Sequence, residues 1–404
     1  MKGKNKKVTL FLSNPCSITE KTLMTDSSWY RFVSEIGTDG DTINIVAPDL
    51  KVSSSSFSIE LKRGVVFKKI EHFSYSSFKG FYRQAIVNPI YLAKSYFQII
   101  KASNYVIFRI PTPGFSLIAL LSMLLKKPLI VFVSGNIREQ SDTYSNSRGL
   151  MRLFLTSVMK VRIKLHSIIL KRCQHVFCVS SNVMQLYNIT PGKKIEIART
   201  PVISIQDIDV PDARRDKPGS SRVYKIIRAC WLQESKGLEN LIIAVHKLSK
   251  RYDFSLDIYG AAKDVNYGKS ISDLIAELDI SSSVTLRGWV SNEELQTLYG
   301  DFDLHVMSSL SEGMPRVCLE SAAKGLPQLV TPVGGVTDFF THLHDAFISE
   351  DCSAKSLEQG LEWFLNNREL AKGIAKNALN GVRESSIELF SERLNGLMEP
   401  QEDV

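Results

Sequence analysis

The chain has 404 residues, 44% of them hydrophobic and 23% charged, with a formal net charge of +8. That length accommodates two domains with separate cores, and that balance excludes a disordered or low-complexity protein. The six cysteines, Cys16, Cys173, Cys178, Cys230, Cys318 and Cys352, form no Cys-x-x-Cys pair, which argues against a disulfide framework or a zinc site and suits a reducing cytosol.

Residues 7–12 read as a first strand, 27–36 as a helix and 42–46 as a second strand. The apolar run over 8–12 is too short for a signal-peptide core. In open α/β sheets ligands bind beyond the strand ends, so the loop over 13–18 is expected to face a ligand. Residues 51–80 are rich in Ser, Lys and aromatic residues, including Lys62, Arg63, Lys68, Lys69, Phe73, Tyr75 and Phe78. They read either as a strand with a mobile loop or as an aromatic, basic surface for lipid headgroups.

A helix over 89–102, a strand over 105–110, a buried helix over 117–125 and a strand over 129–133 follow. The apolar run over 115–125 is too short to cross a bilayer. The next loop holds Asn136 and Arg138, candidates for contact with a sugar or a phosphate. Over 150–172, Thr156, Lys160, Lys164 and Lys171 share one helical face, with Phe154, Val158, Val161, Leu165 and Ile168 on another. That pattern fits a core helix with a solvated face, and also a helix docking on anionic lipid. Residues 1–200 carry 29 Lys+Arg against 11 Asp+Glu, and the remainder 21 against 31. A basic half seeks an anionic partner. No nucleic-acid-binding motif is present, so an anionic membrane surface or a lipid-linked diphosphate fits better than nucleic acid.

A strand over 175–180 and a helix over 181–187 lead to the end of the first domain at residue 203. The polar, breaker-rich stretch 204–221 reads as a linker. The second domain, 222–385, opens with a strand over 224–230, and Lys236-Gly237 precedes a helix over 238–252. Strands over 256–259, 284–286, 302–307 and 328–331 alternate with helices, and the last feeds Gly334-Gly335. Such alternation implies a parallel, doubly wound α/β sheet with helices on both faces. Residues 386–404 form a helical tail.

The chemistry concentrates in Ser308-Ser309-Leu310-Ser311-Glu312-Gly313-Met314-Pro315-Arg316-Val317-Cys318-Leu319-Glu320. Proline suits a first helical position, so a helix is expected over 315–324, stopped by Gly325-Leu326-Pro327. Strand, tight loop and helix then present the free N–H groups of Arg316 and Val317, and the positive end of the helix dipole, to a phosphate above the loop. Glu312 lies in the loop and Glu320 in the helix. Their separation, roughly 7–8 Å along the axis from the helix start, would let them hold hydroxyls on either side of a diphosphate.

Ser308-x-x-Ser311-Glu312-Gly313-Met314-Pro315, Glu320 eight residues after Glu312, Ala323-x-Gly325-Leu326-Pro327 and Thr331-Pro332-Val333-Gly334-Gly335-Val336 together resemble the signature of retaining glycosyltransferases of family 4. Lys236-Gly237-Leu238, the strand before Gly260, Arg287-Gly288-Trp289-Val290-Ser291 and Leu298-Tyr299 follow that family's order. The resemblance implies the GT-B fold: two Rossmann-like domains facing a central cleft, the N-terminal one taking the acceptor, the C-terminal one the nucleotide sugar, and the tail packing back on the first. It implies transfer of a sugar from a nucleoside-diphosphate sugar to a hydroxyl with retained configuration, without metal or other cofactor. The acceptor would be a lipid-linked glycan in lipopolysaccharide or capsule synthesis, at the cytoplasmic face of the membrane.

By the same resemblance, Lys236 meets the leaving diphosphate. Gly313, Met314, Pro315, Arg316 and Val317 line its site. Glu312 positions the donor sugar, Glu320 holds the ribose, and the base lies near Trp289 and Tyr259-Gly260. Family members pair the lysine with an arginine five residues earlier. Trp231 stands there in this chain, and Arg228 is the candidate substitute. The replacement leaves open a second reading, a nucleotide-sugar-binding scaffold subunit without turnover. Asp301-Phe302-Asp303 looks like a metal-binding Asp-x-Asp, but the family resembled does not use one, and no metal site is expected.

Overall fold

The computed structural model describes residues 5–12, 16–19, 21–25, 28–47, 57–71, 89–110, 114–134, 150–198, 203–208 and 223–399. The chain forms two compact units, Met1–Pro201 with Ile387–Val404, and Val202–Ser386. The second unit is thus inserted into the first, ahead of its last helix.

The first unit runs β1 (Lys7–Phe11), β2 (Cys16–Ile18), β3 (Thr22–Thr25), β4 (Thr42–Ala47), β5 (Phe57–Glu60), β6 (Val66–Glu71), α1 (Pro89–Lys101), β7 (Tyr105–Ile110), α2 (Phe115–Leu124), β8 (Leu129–Val133), α3 (Leu150–Leu170), β9 (His175–Cys178), α4 (Ser181–Leu186) and β10 (Ile195–Ile197). Seven strands form a sheet in the order β10-β9-β8-β7-β1-β4-β6, every pairing parallel. Side chains on a strand alternate between faces, and each face here has its own cover. On one side Phe11 lies 5.6 Å from Tyr96 of α1, Phe108 5.1 Å from Phe115 of α2, and Phe115 4.9 Å from His166 of α3. On the other, Phe132 and Phe177 meet Phe32 of the 3-10 helix Ser28–Glu35 and Phe390 of the C-terminal helix Ile387–Leu397.

Several features differ from the sequence reading. The segment read as a helix over 27–36 is a 3-10 helix, Ser28–Glu35. Cys16–Ile18, read as part of a ligand-facing loop, is a strand in a small antiparallel sheet, β2-β3-β5. Strands of three or four residues are too short to show a period. Residues 57–71 hold two strands where one was expected, and Phe73, Tyr75 and Phe78 lie outside the described residues. On α3, Val158, Val161 and Ile168 are exposed rather than packed in the core. The buried side of that helix is the arc bearing His166, Ile169 and Leu170, because His166 is the residue seated between the rings of Phe115 and Tyr187. Burial, with Arg162 adding repulsion, lowers the His166 pKa to about 3.

The second unit runs β11 (Tyr224–Ala229), α5 (Leu238–Ser249), β12 (Phe254–Tyr259), α6 (Val265–Glu277), β13 (Val284–Gly288), α7 (Asn292–Leu298), β14 (Leu304–Met307), α8 (Arg316–Ala323), β15 (Gln328–Val330), α9 (Val336–Phe339), β16 (Phe347–Ile348), α10 (Ala354–Asn366) and α11 (Arg368–Arg383). Its six strands are ordered β13-β12-β11-β14-β15-β16, all pairings parallel. One face packs α5, α6 and α10 over Ile226, Leu256, Leu304 and Leu329. On the other, α8 and α11 cover Met307 and Val330.

The strand order reverses between β11 and β14. The chain steps outward from β11 through β12 to β13, then returns to start β14 on β11's other side. Loops leaving the carboxyl ends of β11 and β14 therefore part in opposite directions and leave a crevice, the place where sheets of this winding bind ligands. Residues 230–237 and 308–315 occupy those two loops.

Candidate functional site

The two loops are tied to each other by backbone. Leu310 N donates to Ser235 O at 2.8 Å, and the Ser308 hydroxyl donates to Lys236 O at 2.9 Å. Gly237 has φ +59°, and a Cβ there would run into the Ser308 carbonyl oxygen. The other side of the 308–315 loop rests on the loop after β15. Thr331 Oγ1 donates to Ser309 O at 2.6 Å, and Gly335 N donates to Gly313 O at 2.5 Å. Gly334, at φ +59°, lies so close to the Glu312 and Gly313 carbonyls that a Cβ would overlap both. Glycines at these positions let three loops pack backbone on backbone.

A line of charged and polar groups runs through this packing. Arg228, at the end of β11, is 1% exposed. Its Nη2 donates to Ser309 Oγ at 2.8 Å. Ser309 Oγ donates to Glu312 Oε1 at 2.7 Å, and the same carboxylate oxygen takes Lys236 Nζ at 2.6 Å. A guanidinium, a hydroxyl, a carboxylate and an ammonium thus form one chain from the sheet to the site. Charge-assisted bonds of this kind fix side-chain positions more firmly than neutral ones.

Beneath them, His305 on β14 is fully buried, and its Nδ1 lies 2.8 Å from Gln328 Oε1. Gln328 uses its amide nitrogen on Leu326 O, so its oxygen accepts and His305 Nδ1 carries the proton. Burial, together with the Arg228 charge, lowers the His305 pKa to about 3 despite the bond to Gln328. Cys230 and Cys318, close to the same charges, are pushed up by burial above the ordinary thiol range. Both are therefore thiols rather than thiolates and poor nucleophiles.

The helix α8 starts at Arg316, one residue later than the sequence suggested. Pro315 is its N-cap, extended at φ −73° and ψ 102°, with no side-chain cap bond. The first N–H groups of α8, those of Arg316 and Val317, are the ones without an intrahelical partner. They open the helix directly after Glu312-Gly313-Met314. Glu320, one turn further on, is 6% exposed. Its charge adds to the burial that raises the neighbouring Tyr299 hydroxyl.

The structure brings Arg228, Lys236, Glu312, Gly313, Met314, Pro315, Arg316 and Val317 onto two adjoining loops, with Glu320 in the helix that follows. Arg228 is neither solvent-facing nor paired with a surface carboxylate: it ends on Ser309. Trp289 lies just past β13, at the same end of the sheet, and is 56% exposed rather than packed in the core. Trp231 is also exposed, and Lys263 Nζ sits 5.8 Å from its ring centroid. Asn136 and Arg138 lie outside the described residues. Asp303 accepts the Lys225 backbone N–H at 2.8 Å, at the opposite end of β14 from the loops.

Sequence reasoning missed Ser309, the link between Arg228 and Glu312. Its hydroxyl could be read only by knowing that residues 228 and 309 meet. Lys263, and Arg109 of the first unit, whose Nε donates to Ser134 Oγ at 2.6 Å at the carboxyl ends of β7 and β8, were missed for the same reason.

A doubly wound sheet with a cation, a carboxylate and a helix start at its switch point defines a phosphate-binding α/β domain. Comparison narrows that class. Residues 212–381 match the family model for glycosyl transferases group 1. The chain carries a glycosyltransferase group 1 domain, and its two parallel-sheet units have the GT-B fold. An uncharacterized glycosyltransferase of Methanocaldococcus jannaschii is 29% identical over a segment covering 38% of this chain and 38% of that protein. The N,N'-diacetylbacillosaminyl-diphospho-undecaprenol alpha-1,3-N-acetylgalactosaminyltransferase of Campylobacter jejuni is 23% identical over 42% of each chain. Among solved structures, Anabaena HepE in complex with UDP superimposes with a TM-score of 0.67 at 13% identity, covering 97% of this chain and 98% of that one. The chain spans less than half the length of the curated relatives it matches. Among the described residues no helix is long and apolar enough to cross a membrane.

Proposed function

We propose that the protein is a retaining, metal-independent glycosyltransferase that moves a sugar from a nucleoside-diphosphate sugar to a hydroxyl of a lipid-linked glycan, in cell-surface polysaccharide synthesis at the cytoplasmic face of the membrane. The observation that carries the proposal is the Arg228–Ser309–Glu312–Lys236 chain beside the start of α8. As the glycosidic bond breaks, negative charge collects on the leaving diphosphate. Fixed cations and N–H dipoles aimed there stabilise the transition state more than the ground state. Lys236 supplies the cation, and the N–H groups of Arg316 and Val317 supply the dipoles, with Gly313, Met314 and Pro315 keeping side chains out of the way. Glu312 accepts hydrogen bonds from donor-sugar hydroxyls, and Glu320 takes the ribose. Trp289 and Tyr259 flank the base. Arg228 acts from beneath by holding Ser309, and through it Glu312.

The relative that acts on a diphospho-undecaprenol substrate and the basic first 200 residues favour a lipid-linked acceptor on an anionic membrane surface. Uridine is the first nucleotide to test, because a fold neighbour is held with UDP. The test is a thermal-shift series with UDP-, GDP- and ADP-sugars in EDTA, on wild type and Glu312→Ala. One nucleotide class should raise Tm in the wild type without metal, and the variant should respond less to the sugar nucleotide. No shift with any donor would overturn the reading. A shift without sugar transfer to any lipid-linked glycan would favour the scaffold reading, to which the tryptophan at position 231 points.

A further inference from the structure

We propose that the outward face of α1, α2 and α3 is the surface by which the first unit docks on an anionic lipid bilayer, with leucines and valines entering the interface and lysines holding the headgroups. The three helices cover one side of the seven-stranded sheet, with Tyr96, Phe115 and His166 turned inward. Their outward residues are not those of an ordinary water-facing surface. The ten residues of α2 include no charge, and Leu120 and Leu124, four apart on one stripe, are 51% and 72% exposed. On α3, Val158, Val161 and Ile168 are exposed along a second stripe. Water-facing helix positions are normally polar, and a run of exposed apolar side chains on neighbouring helices marks a contact surface.

The charges on the same face are all of one sign. Exposed Lys160 and Lys164 adjoin the α3 apolar stripe, Lys171 follows the helix, and Lys94, Lys101 and Lys126 flank the other two. No Asp or Glu occurs between Glu71 and Glu139, or between Asp142 and Glu196, so all three helices are free of acid. An isologous dimer would set lysine against lysine across its axis. A polyanion without an apolar layer would leave the leucines in water. A bilayer with anionic lipid answers both: the aliphatic side chains bury at the acyl boundary, and the lysine stems lie along it with their ammonium groups among the phosphates.

The inference rests on the proposed function for its purpose, since it gives the membrane partner a place on the molecule, but its geometry is independent of the donor site. The test is sedimentation of the full chain with vesicles of phosphatidylcholine, or of phosphatidylcholine mixed with phosphatidylglycerol, with no nucleotide present. Wild type should sediment with the mixed vesicles only, and less in high salt. Lys160→Ala with Lys164→Ala should weaken partitioning by roughly tenfold or more. Leu120→Ser with Leu124→Ser should weaken it without any change of charge. The altered side chains are exposed, so Tm and the nucleotide-sugar thermal shift should stay at wild-type values. Those readings separate a failed docking face from a failed donor site. Wild type that stays in solution with both vesicles, Leu→Ser protein that sediments like wild type, or a dimer that the Leu→Ser changes dissociate would each overturn the proposal.

Discussion

Lys236 and Glu312 hold each other: Nζ lies 2.6 Å from Oε1, and each side chain is 16% exposed. The cation proposed for the diphosphate and the carboxylate proposed for the sugar are therefore partners in the ligand-free protein. A donor must draw the ammonium toward its phosphates and offer hydroxyls to the carboxylate. A free nucleoside diphosphate can do only the first. Glu312→Gln, which keeps the shape but removes the charge, should bind UDP about three- to tenfold more tightly, the value of a partly exposed ion pair, while losing sugar transfer. Calorimetry with UDP alone decides it, and equal or weaker binding by the variant would sink the idea.

Lys236→Ala should reduce transfer by about a hundredfold or more, the usual cost of removing one group that meets transition-state charge. The fold should survive, because the lysine is partly exposed and Glu312 keeps its bond to Ser309. Near-normal turnover in this variant would remove Lys236 from the mechanism.

Ser309→Ala cuts the link between Arg228 and Glu312. It leaves a 1% exposed guanidinium without the hydroxyl it donates to, so unfolding free energy should fall by about 1–3 kcal/mol. Turnover should fall as well, because Glu312 loses one of the two groups on its Oε1. Ser309→Thr, which retains a hydroxyl, should recover much of both. Denaturant melts paired with steady-state rates test this; loss of stability with unchanged rates would make Ser309 a packing residue only.

Gly237→Ala should be far more harmful than an average surface change. The residue sits at φ +59° with its missing Cβ directed at the Ser308 carbonyl. Left-handed backbone alone costs a non-glycine residue about 1–3 kcal/mol, and here the loop carrying Lys236 must also shift. A Tm drop of several degrees together with weakened donor binding is expected. Wild-type melting would mean that the two loops part easily.

Two buried histidines, His166 in the first unit and His305 in the second, titrate at about 3 in the folded protein. Their unfolded value is near 6.5. As pH falls below 6.5 the unfolded chain takes up protons that the native state refuses, so stability falls progressively toward pH 3. Each histidine should cost about 2 kcal/mol at pH 5. Urea midpoints at pH 7 and pH 5 should therefore differ less for the His166→Asn, His305→Asn double variant than for wild type. An unchanged difference would refute the assignment.

The alternating strands and helices of the second unit were legible because long apolar runs between breakers leave a clear period, and the motif around Glu312 was legible because its pieces lie within thirty residues. What stayed hidden depends on contacts distant in sequence. Arg228 gave no sign that it was sealed in, because its partner, Ser309, is 81 residues away. On α3 the apolar stripe was visible but its direction was not: periodicity reports that a face exists, not what lies against it. Pro315 suited a first helical position equally well as a residue just outside it, and the structure has the latter.

The placement of the C-terminal helix also bears on how the chain comes off the ribosome. Everything needed for the inserted unit is made by Ser386, so that unit can finish while synthesis continues. The seven-stranded sheet cannot. Until Ile387–Leu397 emerges, Phe32, Phe132 and Phe177 lack the Phe390 ring that covers them. The earliest-made half of the protein is thus the last to be completed, and a nascent chain stalled a few codons short of its stop would display an aromatic surface to the cell's chaperones.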